Sequence, residues 1–403
     1  MGITETYNVT STVKTLEQAL KTQYLDPIIK MINEDNGPLF AAIEKTSEPI
    51  SGETVKFALQ YARHGGIGAR GENDDLPVPS PRSYIQAQIS PKFLTGRINF
   101  SDKLMRVSKD DKASFVDQVS VQMEDLTTDL KDMMRRNLFG TSEGVMAKVA
   151  SLGGDGKSVV IEGNSRVFYP GQKIEFYTAT DTDQTLHGTE PAVIANVDHT
   201  SKTLYFSAAI DSAVAAGDKI GLVGNWNNEL TGLGDIFTVD NTIYGVDRSK
   251  YKWFNPQVFD KGTDTAFSSM FMQEAIDAID DFRGTKPNFI TCNAGVLRAY
   301  MQEQLTYKRN TEYKVLDGGV RIVSYDDVAI VKDKYMPANT MYFLNTNDFS
   351  LAQLNEWEWM DQDGAVLHRV ANKAAYEATI LKYCELICRV PGAQATLTGI
   401  KEA

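Results

Sequence analysis

The sequence is poor in cysteine and has no long apolar run. Its 403 residues include three cysteines, Cys292, Cys384 and Cys388. This odd, sparse set argues against a disulfide framework and indicates folding in a reducing compartment. No apolar stretch approaches the roughly 20 residues that cross a bilayer, and the first residues lack the basic and apolar regions of a secretory signal. We therefore predict no membrane partner.

Positive charge is also in short supply, because the net charge is −12. Proteins that wrap nucleic acid through basic contacts usually carry the opposite sign. An acidic protein can nevertheless coexist with nucleic acid to which it does not adhere. The composition, 42% hydrophobic and 23% charged, is that of a soluble protein, and the length predicts two or three domains.

Complete catalytic and cofactor motifs are lacking as well. Residues 66–71 match the glycine pattern of a dinucleotide site, but the three prolines at 77, 79 and 81 exclude the helix that such a site needs. Residues 156–158 resemble the end of a phosphate-binding loop but precede a predicted strand. Asp181 and Asp183 begin like a calcium loop, yet Leu186 stands where glycine belongs. The histidines show no ligand spacing. We predict no catalytic residue, no cofactor, no metal site and no enzymatic activity.

A long amphipathic stretch between Ser108 and Gly140 organises the chain. Its apolar residues recur at steps of three and four, as on one face of a helix. They are Phe115, Val119, Met123, Leu126, Leu130, Met133, Met134 and Leu138. The pattern predicts a helix over 111–139, roughly 43 Å long. We expect its polar face to point towards the lumen of an assembly or a partner; this face carries Asp117, Asp125, Asp129 and Asp132.

An arm and a long hairpin precede this helix. Residues 1–50 are polar and interrupted by helix breakers, which is typical of an arm that lies on another surface. Alternating runs at 55–61 and 85–89 predict paired strands, and the return run continues through 94–100. The tip between them is rich in glycine, proline and charge. Because an isolated two-stranded ribbon is marginal in water, we expect the hairpin to complete its folding on a neighbouring molecule.

A β-domain and an α+β body follow the helix. Short strands are predicted at 158–162, 166–169, 172–178, 192–197, 203–207 and 218–223. This series indicates a small barrel or sandwich that is inserted into the larger domain. Helices are predicted at 264–282 and, capped by Asn293, through Leu305. Further strands are predicted at 289–292, 320–324, 328–331, 341–344 and about 377–390.

The order of these parts resembles that of the major capsid protein of tailed bacteriophages, whose fold is shared with encapsulin shells. The stretches that carry the resemblance are 94–100 leading into the long helix, 231–233, 244–248 with Trp253, 288–293, 318–320 and 330–333. It implies an α+β capsid fold with an N-terminal arm, an extended hairpin loop, a long spine helix, and peripheral and axial domains. The inserted β-domain departs from the minimal pattern of this family.

The resemblance divides the chain into seven parts. They are the N-terminal arm (1–50), the extended β-hairpin loop (51–100), the spine helix of the peripheral domain (101–144), the inserted β-barrel (145–226), the return of the peripheral domain (227–261), the axial domain (262–375), and the C-terminal strand and tail of the peripheral domain (376–403). The hairpin loop is then expected to lie across a neighbouring subunit. We hypothesise inter-subunit contacts for Arg63, Arg70, Arg82, Lys92 and Arg97.

The function that the resemblance implies is structural. Copies would assemble as hexamers and pentamers into an icosahedral phage head around double-stranded DNA, held without sequence specificity. Assembly would take place in the host bacterial cytoplasm, and the product would be a virion component. Scaffolding and portal proteins are the implied partners, and decoration proteins stay open. The alternatives are an encapsulin-type nanocompartment, or an enzyme or carbohydrate-binding protein with a β-domain.

Overall fold

The structure is a computed structural model of the chain. It describes residues 37–44, 47–50, 52–72, 75, 77–104, 118–178, 186–307, 313–315, 321–361 and 366–403. The first 36 residues of the predicted arm, the predicted start of the long helix and the Asp181 and Asp183 motif lie outside these ranges. The chain divides into two compact units. The smaller unit comprises the described residues within 93–135 and 353–384. The larger unit comprises the described residues within 37–92, 136–352 and 385–403.

The described residues form helices and strands that we number in chain order. The helices are α1 (Pro38–Glu44), α2 (Gln118–Phe139), α3 (Leu233–Phe237), α4 (Ser269–Arg283) and α5 (Ala294–Tyr307). The strands are β1 (Ser47–Pro49), β2 (Val55–Gln60), β3 (Tyr84–Ile89), β4 (Lys92–Ser101), β5 (Val145–Leu152), β6 (Ser158–Glu162), β7 (Lys173–Tyr177), β8 (Leu186–Asp198), β9 (Thr203–Phe206), β10 (Lys219–Leu222), β11 (Thr242–Ile243), β12 (Val246–Asp247), β13 (Gln257–Thr265), β14 (Phe289–Cys292), β15 (Tyr313–Val315), β16 (Arg321–Tyr325), β17 (Val328–Lys332), β18 (Met341–Leu344), β19 (Phe349–Gln353), β20 (Glu358–Trp359), β21 (His368–Arg369), β22 (Ala375–Cys388) and β23 (Ala395–Ile400).

The long helix is present over Gln118–Phe139, and its predicted apolar stripe is buried at Leu130, Met134 and Leu138. In the smaller unit this stripe approaches β4 at Gly96. A Cβ atom at Gly96 would lie 2.7 Å from the Leu130 Cδ1 atom, closer than carbon atoms pack. Glycine at this position therefore permits the close approach of strand and helix.

The smaller unit is built on pairing with β22. Strand β4 and the short strands β20 and β21 all pair with β22. The rings of Phe93 and Tyr383 stack with centroids 4.8 Å apart, and Arg97 forms an ion pair with Glu377. The sequence pattern had placed 94–100 in the return arm of the hairpin. The structure shows instead that this run pairs with the C-terminal strand β22. The sequence pattern did not reveal this pairing, because the two strands are distant in sequence.

The larger unit contains the hairpin and the barrel. Strands β2 and β3 pair antiparallel from Val55 opposite Ile89 to Gln60 opposite Tyr84, as predicted. The barrel is closed, with strand order β10-β5-β6-β9-β8-β7, which confirms the predicted small barrel. Its interior is apolar and includes Val149, Ile161, Ile174, Phe176, Ile194 and Leu204.

The barrel region differs from the prediction at two places. The predicted strand at 166–169 is a 3-10 turn over Ser165–Val167, because the side chain of Asn164 accepts a hydrogen bond from the Arg166 backbone and starts a turn. Strand β5 was not predicted. Its sequence, VMAKVASL, mixes apolar and small residues without the alternation that marks a half-buried strand.

A seven-stranded sheet forms the core of the rest of the larger unit, in the order β13-β23-β18-β14-β17-β16-β15. Helices α4 and α5 pack on it through apolar residues such as Ile276, Val296 and Phe343. Helix α4 begins at Ser269, later than predicted, because Ser268 caps it and the preceding residues form β13, parallel to β23. The predicted cap at Asn293 is confirmed by its bond from the Val296 backbone.

Candidate functional site

The base of the hairpin rests on aromatic residues of its own chain. The ring of Tyr61 stacks on Trp253 with centroids 5.6 Å apart and planes 8° from parallel. The edge of Tyr251 completes the cluster at 5.9 Å from Tyr61. Offset stacking and edge-to-face packing of this kind contribute about 0.5–1.5 kcal/mol for each pair beyond burial. We call Tyr244, Tyr251 and Trp253 the aromatic seat.

Tyr244 is the member of the aromatic seat with the most contacts. Its carbonyl accepts a hydrogen bond from the Gln88 backbone at 2.8 Å, and its ring packs against Phe57, so it holds both hairpin strands. Its hydroxyl donates to the Leu386 carbonyl at 2.9 Å and accepts from the Cys388 backbone at 3.1 Å. The residue adopts a left-handed conformation, with φ of 52°. Burial raises the pKa of this hydroxyl well above its usual value, so it stays a neutral hydrogen-bonding group.

The hairpin base therefore finds apolar partners within its own chain, whereas two apolar side chains of the described part of the tip are largely exposed. The tip is closed by a bond from the Gly65 backbone to the Ser80 carbonyl, 3.1 Å long. Beyond it, Ile67 and Val78 are 82% and 81% exposed. Single exposed apolar residues are common on proteins, but two on one projecting tip make it a candidate contact surface.

The cationic residues singled out in the sequence fall into two groups. Arg63, Arg70 and Arg82 are exposed on the hairpin tip or beside it. Lys92 and Arg97 lie on β4 and have partners in the chain: the Lys92 Nζ donates to the Asn227 carbonyl at 2.7 Å, and Arg97 pairs with Glu377. Inter-subunit contacts by these residues stay a prediction.

A buried charged cluster lies at the end of α2, and sequence reasoning missed it. Arg136 and Glu229 form an ion pair whose side chains are nearly inaccessible to solvent. The Arg136 guanidinium also donates to the Asn137 Oδ1 at 2.6 Å, and the Asn225 amide donates to the Glu229 Oε1 at 2.8 Å. Buried charges need such partners, because an unpaired one costs several kcal/mol, roughly 3–5 for a broken pair.

Glu385 adds a buried carboxyl group. Its Oε1 accepts hydrogen bonds from the Thr231 backbone at 2.8 Å and from the Leu386 backbone at 3.0 Å. Burial raises the pKa of this carboxyl to about 7, and the charge of Lys92 opposes the shift. A glutamate inside the apolar run 384–388 was the signal in the sequence that could have identified it.

A cavity of about 630 Å³ lies beneath the hairpin base. Its walls are mostly apolar and include Val55, Phe57, Trp253, Phe282 and Pro391. Such walls suit the packing of apolar groups. In the ranges given above, the structure groups no set of three or more His, Cys, Asp or Glu side chains that could hold a metal ion.

The three cysteines are buried, and none of them forms a disulfide within the described part of the chain. Burial raises the pKa of the Cys292 thiol to about 12 and that of Cys388 further, which keeps both protonated and unreactive. No helix within the described part of the chain is long and apolar enough to span a membrane.

Comparison with solved structures identifies the fold. The chain resembles a chain of the cyanophage A-1(L) capsid asymmetric unit with a TM-score of 0.60 and 11% identity, over 94% of this chain and 97% of that one. It resembles the SrpI encapsulin of Synechococcus elongatus PCC 7942 with a TM-score of 0.51 and 9% identity, over 97% and 96%. The capsid of an empty GTA particle gives 0.50 and 9%, over 97% and 98%. No protein-family model and no curated protein sequence matches the chain.

These matches extend over nearly the whole of each chain, so they describe its architecture and not a shared fragment. The protein has the α+β fold of tailed-phage capsid proteins and encapsulin shells, as the sequence pattern predicted. In addition, it carries a closed six-strand barrel between α2 and α3.

Proposed function

We propose that the protein is a structural major capsid protein, and not an enzyme, whose copies assemble as hexamers and pentamers into a closed icosahedral shell around double-stranded DNA. The observation that carries this proposal is the likeness to a phage capsid chain over 94% of the sequence. The acidic net charge is consistent with a shell that encloses DNA without binding it tightly. Scaffolding, portal and decoration proteins, and assembly in a bacterial cytoplasm, belong to the same proposal.

The geometry of the hairpin supports its use between subunits. Its base is fixed on the aromatic seat, whereas its tip exposes Ile67, Val78 and the cations Arg63, Arg70 and Arg82. A rigid base and an exposed tip suit a contact that must reach another copy without losing its own orientation. On an acidic protein, cations on the tip favour attraction to a neighbouring body.

An encapsulin-type compartment is the second candidate, because the likeness to the SrpI encapsulin is also extensive. The two candidates differ in what the shell contains. A phage head protects DNA from added nuclease, whereas a protein compartment holds protein.

Purified protein tests the assembly. Size-exclusion chromatography and negative-stain microscopy, with and without co-expressed scaffold candidates, should show rings or shells. Nuclease treatment of shells from infected or induced cells, followed by DNA extraction, then separates the two contents. A chain that stays a monodisperse monomer at every concentration and with every candidate partner would overturn the proposal.

The tip can be tested by deletion. Removal of residues 65–80 joins positions that the structure already brings together, so we expect the body to fold and assembly to be lost. A finer variant replaces Arg63, Arg70 and Arg82 with alanine. Its matched control replaces the exposed barrel cations Lys157, Arg166 and Lys202. Normal shells from both hairpin variants would show that the tip is not an inter-subunit contact.

A further inference from the structure

The chain leaves the barrel through residues 224–231, which we call the exit segment. The barrel holds its first half. The Gly224 backbone donates to the Glu175 carboxylate at 3.2 Å, and the Trp226 ring packs on Tyr177 with centroids 4.3 Å apart. The ammonium of Lys219 lies 5.2 Å from the Trp226 ring, within the range of a cation–π contact.

The second half of the exit segment is held by residues outside the barrel. The Asn227 carbonyl accepts the bond from Lys92, and Glu229 pairs with Arg136. Both contacts lie within the larger unit. They join the exit segment to the first residue of β4 and to the last turn of α2.

The third contact joins the exit segment to β22. The Thr231 backbone donates to the Glu385 carboxylate at 2.8 Å, and that carboxylate is buried. We call Lys92, Arg136 and Glu385 the root residues. Each is the residue of the larger unit at which its element, β4, α2 or β22, crosses the boundary between the two units along the chain.

The energetics of these contacts favour joint release. Arg136, Glu229 and Glu385 are buried, and a buried charge or buried hydrogen-bonding group that loses its partner is destabilised. Displacement of the exit segment removes a hydrogen-bond partner from every root residue at once. We therefore expect the three contacts to break together and not one by one. Trp226 is easier to displace, because in the described structure its buried indole N–H has no hydrogen-bond partner.

We propose that the exit segment is a conformational latch that couples the barrel to the root residues. Displacement of Trp226 from the barrel, by a pull on the barrel or by a ligand at its rim, then loosens the start of β4, the end of α2 and the C-terminal part of β22 together. The coupling is reciprocal: loosening a root residue weakens the contact of the exit segment with the barrel. This inference concerns a single chain and does not rest on the proposed function.

Hydrogen exchange measured by mass spectrometry on the full chain tests the latch, because it reports local opening segment by segment. Trp226→Ala removes the aromatic contact with the barrel without touching a root residue. We expect exchange to rise by about tenfold in peptides covering Thr231, Leu386 and the last turn of α2, as for the loss of a hydrogen bond to a charged group. Peptides from β14 and β18 should not change.

Phe176→Ala is the matched control, because Phe176 packs on Phe206 inside the barrel. It weakens the barrel without removing any of the exit-segment contacts described above. The proposal is overturned if this control loosens the root residues as much as Trp226→Ala does. It is also overturned if Trp226→Ala speeds exchange only in the barrel and the exit segment.

Two milder variants keep the test decisive if Trp226→Ala fails to fold. Lys219→Met removes the ammonium beside the Trp226 ring and should produce the same pattern at smaller amplitude. Lys92→Met tests the reverse direction and should speed exchange at Gly224, whose amide bonds to the barrel. Unchanged protection of Gly224 in a folded Lys92→Met protein would contradict the coupling.

Discussion

Replacing Glu385 with glutamine should remove a pH dependence of folding that this single buried carboxyl creates. Glutamine keeps the shape and the carbonyl oxygen that accepts bonds from the Thr231 and Leu386 backbones. It removes the titration. The variant therefore isolates the cost of charge at this position from the value of the hydrogen bonds.

The magnitude follows from linkage. Burial raises the pKa of Glu385 from about 4.5 to about 7. The folded state therefore holds the proton more tightly, and the unfolding free energy of the wild type falls as the pH rises from about 4.5 to about 7. At about 1.4 kcal/mol for each pH unit, the loss is roughly 3 kcal/mol. Below pH 4.5 the contribution is fully present, and above pH 7 it is gone.

Urea unfolding of the unassembled protein at pH 5, 6, 7 and 8, followed by circular dichroism, measures this effect. The stability of Glu385→Gln minus that of the wild type should rise by about 2–3 kcal/mol between pH 5 and pH 8. Other titrating groups cancel in this difference. Glu162→Gln, on an exposed position of β6, is the control and should show no such trend.

A difference that stays constant across this pH range would refute the reasoning. It would mean that Glu385 is ionised throughout, and that the bonds from the backbone and the charge of Lys92 outweigh its burial. A difference of the opposite sign would mean that the carboxylate stabilises the fold.

Three further predictions concern packing. Gly96→Ala should destabilise the smaller unit by about 1–3 kcal/mol in urea unfolding, because the new Cβ meets Leu130. Tyr244→Phe should cost about 1–3 kcal/mol in the same assay, since it removes the hydroxyl that bonds the Leu386 carbonyl and the Cys388 amide of β22. Tyr61→Ala should speed tryptic cleavage in the hairpin, measured by mass spectrometry, because it removes the stack on Trp253.

Each of these variants has a control that changes a similar but exposed residue. They are Thr95→Ala beside Gly96, Tyr205→Phe on the barrel and Tyr84→Ala in the hairpin. Equal effects of variant and control would show that the named contacts do not stabilise the structure. An unchanged cleavage rate for Tyr61→Ala would show that the hairpin is held without the stack of Tyr61 on Trp253.

The elements predicted best from the sequence have local patterns and clear ends. Strands β6, β14 and β18 are short apolar runs between turn residues, and their bounds were predicted to the residue. Strands β13 and β23 were missed, because each is stabilised by parallel pairing with the other, and their sequences are more than a hundred residues apart. Pairing of this kind leaves no local pattern.

The candidate site shows the same limit. Lys92 and Arg97 were grouped with the hairpin because they follow it in sequence. Their partners, Asn227 and Glu377, lie 135 and 280 residues further along the chain. Nothing in the sequence near Lys92 indicates such a partner. The burial of Glu385, by contrast, could have been inferred, since an acidic residue in an apolar strand must be paired or neutral.

The ends of the inserted barrel lie side by side. Val145 at its start is opposite Gly221 at its finish, on paired strands about 5 Å apart. A domain that begins and ends at one place is a removable module, so a foreign domain with adjacent termini could be grafted there as a display site. The graft would need to supply a surface like that of Glu175 and Tyr177. Without it, the chain would re-enter the body at residues 224–231 with nothing to orient it.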